Sequence, residues 1–133
     1  MLPHTRAMIA AAAYAFITGR KVAGVFDHAA MRERLIAAES RENRLKGFDG
    51  NRQAEFGGTL PDLYDAGDKA AFSLEIAGSE ARGYDRGSAH HYTAKVTDQL
   101  VQVYDHGQEA WFAFDIRDEQ TAFDSRAGAD ASQ

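Results

Sequence analysis

The sequence predicts a mainly β domain: an antiparallel β-meander of hairpin repeats, curled or barrel-like, with an N-terminal α-helix. Three observations support this prediction, namely a repeated aromatic–Asp dipeptide, an alternation of apolar and polar residues between the repeats, and an Ala-rich segment at the start. The chain has 133 residues, which suits a single domain. We expect residues 1–124 to form that domain and residues 125–133, which lack large apolar side chains, to form a disordered tail.

The N-terminal segment predicts a helix that ends at a glycine. Residues 10–13 are four consecutive alanines, Thr5 is a candidate N-cap, and Gly19 suits the position just past the helix end. Because the segment is apolar on all sides, we expect it to be buried. Arg6 before a short apolar run also gives a weak export signal, but the run is a poor signal core, and we expect a cytoplasmic protein.

The aromatic–Asp dipeptide is the strongest pattern in the chain. It uses seven of the thirteen Phe and Tyr residues, whereas the twelve Asp residues would follow only about one of them by chance. An Asp side chain can accept backbone N–H groups at the start of a turn. The unit therefore predicts a strand that ends at the aromatic residue and a turn that begins at the Asp. The seven dipeptides end at Asp27, Asp49, Asp65, Asp85, Asp105, Asp115 and Asp124.

The segments between the dipeptides predict hairpins. Residues 72–85, 91–105 and 111–124 each contain a strand-like alternation, a polar turn and a returning strand. Residues 29–46 are ambiguous, because they match a hairpin in register with the repeats and also a second helix, which would give an α+β fold. Residues 59–67 predict a short helical corner with Pro61 in its first turn.

Composition excludes several classes of function. The net charge of −5 argues against nucleic acid and anionic membrane partners, and no apolar run approaches the roughly 20 residues that span a bilayer. The absence of Cys excludes disulfides and thiolate sites. We expect no cofactor. The sequence leaves open whether the protein is a monomer or a homodimer, since an incomplete barrel would expose edge strands that can pair.

The leading functional hypothesis is a small, non-catalytic binding or protein-interaction module. The sequence contains no nucleophile elbow, phosphate loop or zinc-protease motif, so we do not expect an enzyme. Aromatic residues exceed what one face of a small sheet can bury, and Trp111 is expected to face away from Phe112 and Phe114. We assign the partner-binding face to Tyr84, Tyr92 and Trp111.

The sequence is also compatible with two other functions. The first is a small-ligand carrier that uses the interior of the curled sheet, as β-barrels of about eight strands can do. The second is a metal-dependent enzyme. His28 and His106 each follow an aromatic–Asp pair, and with Asp27 and Asp105 they supply the imidazole and carboxylate groups that bind divalent metals. Their spacing matches no compact ligand motif.

Overall fold

The structure, a computed structural model, describes residues 1–118 and contains one helix and twelve strands in that range. The predicted mainly β fold with an N-terminal helix is confirmed. The elements are α1 (Pro3–Thr18), β1 (Val22–Asp27), β2 (Arg32–Arg34), β3 (Ile36–Arg41), β4 (Arg44–Asp49), β5 (Ala54–Thr59), β6 (Asp62–Asp65), β7 (Ala70–Ser73), β8 (Glu75–Ala77), β9 (Glu80–Asp85), β10 (His90–Thr97), β11 (Leu100–Asp105) and β12 (Ala110–Asp118).

The strands form a closed barrel in which every pairing is antiparallel, and the pair of β12 with β1 closes it. Strands β2 and β3 are two halves of one strand interrupted at Leu35, and both pair with β1. Strands β7 and β8 are likewise interrupted at Leu74, and both pair with β9. If each interrupted strand is counted once, residues 1–118 form a ten-stranded barrel.

Helix α1 lies inside this barrel. Residues 7–15 are at most 1% exposed, and the helix contacts β1, β3, β4 and all five strands from β8 to β12. Side chains alone fill the interior of a barrel of about eight strands, so a barrel of ten strands has room for more. Alanine keeps the helix slender enough for that space, which explains why α1 has no polar face.

The two ends of α1 differ in how well the sequence predicts them. Gly19 adopts φ 73° and donates its N–H to the carbonyl oxygen of Ala15, as predicted. Thr5 is not the N-cap: the helix begins at Pro3, the N-cap is Leu2, and Thr5 is buried in the first turn. Proline fits the first position of a helix because it has no N–H to leave unpaired.

The two uncertain segments both form hairpins. Residues 29–46 contain β2, β3 and the start of β4, which confirms the hairpin and contradicts a second helix. The helical corner predicted for residues 59–67 is wrong, because β5 and β6 form a hairpin there and Thr59 pairs with Asp62. Alternation across this hairpin buries Phe56 and Leu63, and a helix would break it. The returning strand predicted near residues 121–123 and the predicted tail lie outside the described residues.

Five aspartates end strands at the same end of the barrel and start the turns that close it. Each points inward and is at most 4% exposed, and each accepts a hydrogen bond from the backbone N–H two residues later. The residue four positions after each aspartate has a positive φ. We call this the aspartate end of the barrel. Its members are Asp27, Asp49, Asp65, Asp85 and Asp105. The turn predicted at Asp115 is wrong, because Asp115 lies within β12, and Asp124 lies outside the described residues.

The opposite end of the barrel holds the last turn of α1. The hydroxyl of Tyr14 donates to Asp118 Oδ2 at 2.7 Å, and Arg20 Nη1 donates to the same oxygen at 3.1 Å. Burial is the largest cause that raises the pKa of Tyr14 to about 12, and the hydrogen bond to Asp118 is the second. Among residues 1–118, no helix is both long enough and apolar enough to cross a membrane.

Gly83 tests how tightly the barrel wall is packed. A Cβ at this position would lie 1.8 Å from the carbonyl oxygen of Ser73, whereas a Cβ at Gly24 would lie no closer than 3.7 Å to any atom. We expect Gly83→Ala to lower the free energy of unfolding by about 2 kcal/mol or more. We expect Gly24→Ala to change it by less than about 0.5 kcal/mol. Urea denaturation followed by circular dichroism measures the free energy of unfolding of both variants. Equal losses would contradict the close contact between Gly83 and Ser73.

Tyr14 predicts a dependence of stability on alkaline pH. Because folding raises the pKa of Tyr14 from 10.0 to about 12, the associated stability is complete below pH 10 and is lost as the pH rises to 12. The loss should reach about 2 kcal/mol. Tyr14→Phe should unfold with a shallower pH dependence over this window. Parallel slopes for the two proteins would show that the Tyr14 hydroxyl does not titrate in this way.

Candidate functional site

At each turn of the aspartate end, the aromatic residue faces outward, because it precedes an aspartate that faces inward. These outward aromatics meet further rings on β9 to β12. Ring centroids of Tyr104 and Trp111 are 5.1 Å apart, those of Tyr104 and His106 are 4.8 Å apart, and those of Tyr84 and His91 are 4.8 Å apart. We call Tyr84, His91, Tyr104, His106 and Trp111 the aromatic face.

Charged side chains border the aromatic face without dominating it. Lys95 Nζ lies 5.3 Å from the centroid of the Trp111 ring and 3.9 Å from Glu80. Tyr84, His91 and the exposed Arg82 line a shallow cavity of about 400 Å³. The face therefore offers stacked rings at its centre and both signs of charge at its edge.

The structure divides the predicted partner-binding residues. Tyr84 and Trp111 lie on the aromatic face, and Trp111 is 49% exposed while Phe114 is fully buried, as the alternation predicts. Tyr92 does not belong to the face, because it is 1% exposed inside the barrel. Its hydroxyl donates to the carbonyl oxygen of Ser73 at 2.6 Å, and burial raises its pKa.

Sequence reasoning missed three members of the aromatic face. Tyr104 occupies the same place in its repeat as Tyr84, and that equivalence was the available signal. His106 follows the Asp of the same repeat, and His91 pairs with Tyr84 across strands β9 and β10. The cross-strand contact depends on the register, which sequence alone did not supply.

The structure does not bring the predicted metal ligands together. Asp27 pairs with Phe114, and Asp105 pairs with Ala110 on the other side of β12, which places their backbones about 15 Å apart at ordinary strand spacings. His28 contacts Asp115, with Nε2 2.9 Å from Oδ2. His106 packs its ring against Tyr104.

Cations lie beside two of the buried aspartates, Asp27 and Asp105. Arg34 Nε lies 2.7 Å from Asp27. Asp105 lies 3.2 Å from Arg6 Nη1 and 3.1 Å from the Met1 ammonium. Burial opposes ionisation of Asp105, but the ammonium and backbone N–H donors outweigh it and hold its pKa below the ordinary value. Such buried charges require partners, and these pairs fix the closing turns.

The interior of the barrel offers little room for a ligand, because α1 and the inward side chains form one continuous core. Cavities of about 560 Å³ lie at the two ends. One is lined by Asp65, Asp85 and the first turn of α1, and the other by Lys21, Arg44 and neighbouring residues.

Comparison of the chain with protein-family models, with curated proteins and with solved structures found no significant match.

Trp111 and Phe114 lie on the same strand with opposite exposure, and they test the position of the aromatic face. We expect Trp111→Ala to remain folded and to lose less than about 1 kcal/mol of stability. We expect Phe114→Ala to lose about 3–5 kcal/mol, because it leaves a cavity in the core. Circular dichroism is the appropriate probe, since Trp111 is the sole tryptophan of the chain. An unfolded Trp111→Ala protein would place this residue in the core and remove the face.

Proposed function

We propose that this domain is a non-catalytic interaction module that binds a protein partner through the aromatic face. The supporting observation is the location of α1. A helix packed on the outside of the sheet could cover the surplus of aromatic side chains, but α1 lies inside the barrel. It therefore leaves Tyr84, Tyr104 and Trp111 uncovered on the outside.

The chemistry of the face suits protein recognition. Tyrosine and tryptophan are enriched at the centres of protein interfaces, where they contribute most of the binding energy. The ring contacts of Tyr104 with Trp111 and His106 restrict these side chains before a partner arrives. Such restriction lowers the entropy that binding would cost. Arg82 and Lys95 at the edge supply donors for hydrogen bonds to the partner.

The closed barrel also limits how a partner can bind. Each of the ten strands has a neighbour on both sides when an interrupted strand is counted once. The half-strands β2 and β8, of three residues each, are the parts that pair on one side only among the described residues, so a partner finds no long open edge at which to extend the sheet. A partner can instead bind across the outer surface of β9 to β12. A nucleic acid would need a basic groove around the aromatic rings, whereas the chain has a net charge of −5 and Lys95 lies beside Glu80.

The two alternative functions have less support. A carrier that uses the barrel interior would compete with α1 for the same space. An enzyme that uses His28, His106, Asp27 and Asp105 would need groups that the strand register separates.

Site-specific photo-crosslinking tests the proposal. A photoreactive phenylalanine analogue at position 111 is compared with the same analogue at position 64, because Trp111 and Tyr64 are both 49% exposed and Tyr64 lies on β6, outside the aromatic face. In cells that produce the protein, we expect a discrete crosslinked partner from position 111 and little product from position 64.

A further substitution separates specific binding from general stickiness. Tyr104→Ala removes the ring that contacts Trp111, and it should abolish the crosslink from position 111 without unfolding the barrel. Equal crosslinking from positions 64 and 111, or none from either, would refute the proposal.

A further inference from the structure

The turn after Asp65 differs from the other four turns of the aspartate end. In each of those, both carboxylate oxygens of the turn aspartate accept hydrogen bonds, one oxygen from backbone N–H groups and the other from a side-chain or terminal donor. In the turn of Asp85, for example, Oδ2 accepts from the Ser88 hydroxyl at 2.7 Å. Asp65 Oδ1 is occupied by Gly67 N–H at 3.0 Å and Arg52 Nη2 at 3.0 Å. Asp65 Oδ2 is buried and has no hydrogen-bond partner among the described residues.

The residue three positions after the aspartate explains the difference. Arg52 holds this position in the turn of Asp49 and Ser88 holds it in the turn of Asp85, and both donate to their aspartate. Asp68 holds the same position in the turn of Asp65. An ionised carboxylate can only accept hydrogen bonds. This turn therefore sets an acceptor beside an acceptor where the turns of Asp49 and Asp85 have a side-chain donor.

A histidine from the helix completes the group. His4 lies in the first turn of α1, and its Nε2 is 2.5 Å from Asp68 Oδ2. One ligand atom from each of His4, Asp65 and Asp68 lies within 4.8 Å of the others, and no other group of this kind occurs among residues 1–118. Asp65 and Asp68 also line the cavity of about 560 Å³ at this end, which gives an ion a route to the site.

We propose that His4, Asp65 and Asp68 bind a divalent transition-metal ion of the Zn²⁺ type. One imidazole nitrogen and two carboxylate oxygens form the mixed donor set that such ions accept. Three protein ligands leave a fourth position, open to the cavity, for water or an exogenous ligand.

Charge and geometry are both compatible with the ion. Asp49, Asp65 and Asp68 surround Arg52, so three negative charges and one positive charge give −2, which a divalent ion neutralises. Tetrahedral ligands at about 2.1 Å from a metal lie about 3.4 Å apart. His4 Nε2 and Asp68 Oδ2 lie 2.5 Å apart in their hydrogen bond. To bind one ion they must therefore move apart by a little less than about 1 Å.

The site would join the internal helix to the barrel wall, because His4 belongs to α1 while Asp65 and Asp68 belong to the turn between β6 and β7. An ion that binds only the folded chain increases its stability. This inference is independent of the proposed interaction module, since its residues lie outside the aromatic face.

Titration of the metal-free full chain with ZnCl₂ tests the site. Isothermal titration calorimetry should show one ion per chain, and the melting temperature should rise with the Zn²⁺ concentration. Asp68→Ser reproduces the Ser88 arrangement and gives Asp65 a donor, so we expect it to fold and to bind Zn²⁺ at least about 100-fold more weakly. His4→Ala should weaken binding in the same direction.

His28→Ala is the matched control, because His28 and Asp115 form another His–Asp contact at 2.9 Å on the outer surface. Its Zn²⁺ affinity should equal that of the unsubstituted chain. The proposal is overturned if the unsubstituted chain binds no Zn²⁺, or if Asp68→Ser binds it as tightly. A loss of binding in His28→Ala equal to that in Asp68→Ser would also overturn it, since it would indicate adventitious surface binding.

Discussion

The fold depends on filling the interior of a ten-stranded barrel. Side chains alone fill a barrel of about eight strands, and the wider interior here contains α1. Close packing in proteins leaves few voids, so the helix and the wall must match in size. The run of alanines in residues 10–13 narrows the helix, while Phe114 and Tyr92 reach inward from the wall. Gly83 lies where the wall is too crowded for any side chain.

The aromatic–Asp dipeptide links the closure of the barrel to its outer surface. Because successive residues of a strand face opposite sides, the aspartate points inward and accepts backbone N–H groups of the closing turn, while the aromatic ring points outward. Repetition of this unit therefore produces buried carboxylates and outward rings together. On β9 to β12 the rings of Tyr84 and Tyr104 contact His91, His106 and Trp111. The repeat that closes the barrel thus also forms an aromatic surface suited to recognition.

Differences among the repeats are informative because the repeats share one geometry. In the turns of Asp49 and Asp85, the side chains of Arg52 and Ser88 at the third position after the aspartate donate to its carboxylate. Asp68 reverses that role, and His4 lies beside it. A buried acceptor without a donor is costly, and the unpartnered Asp65 Oδ2 at this one turn is the basis for the proposed cation site. The other turns serve as internal controls for this comparison.

The sequence by itself determined the features that depend on neighbouring residues. Strand alternation placed Trp111 opposite Phe114, the repeat placed five aspartate turns although it wrongly placed a sixth at Asp115, and Gly19 marked the end of α1. It did not determine that the helix lies inside, that Tyr92 is buried, or that His4 meets Asp68 while His28 and His106 stay apart. Those features depend on barrel closure and strand register, which bring together residues distant along the chain. Strand alternation and turn formation depend on residues that are close together in the chain, whereas barrel closure depends on all ten strands together.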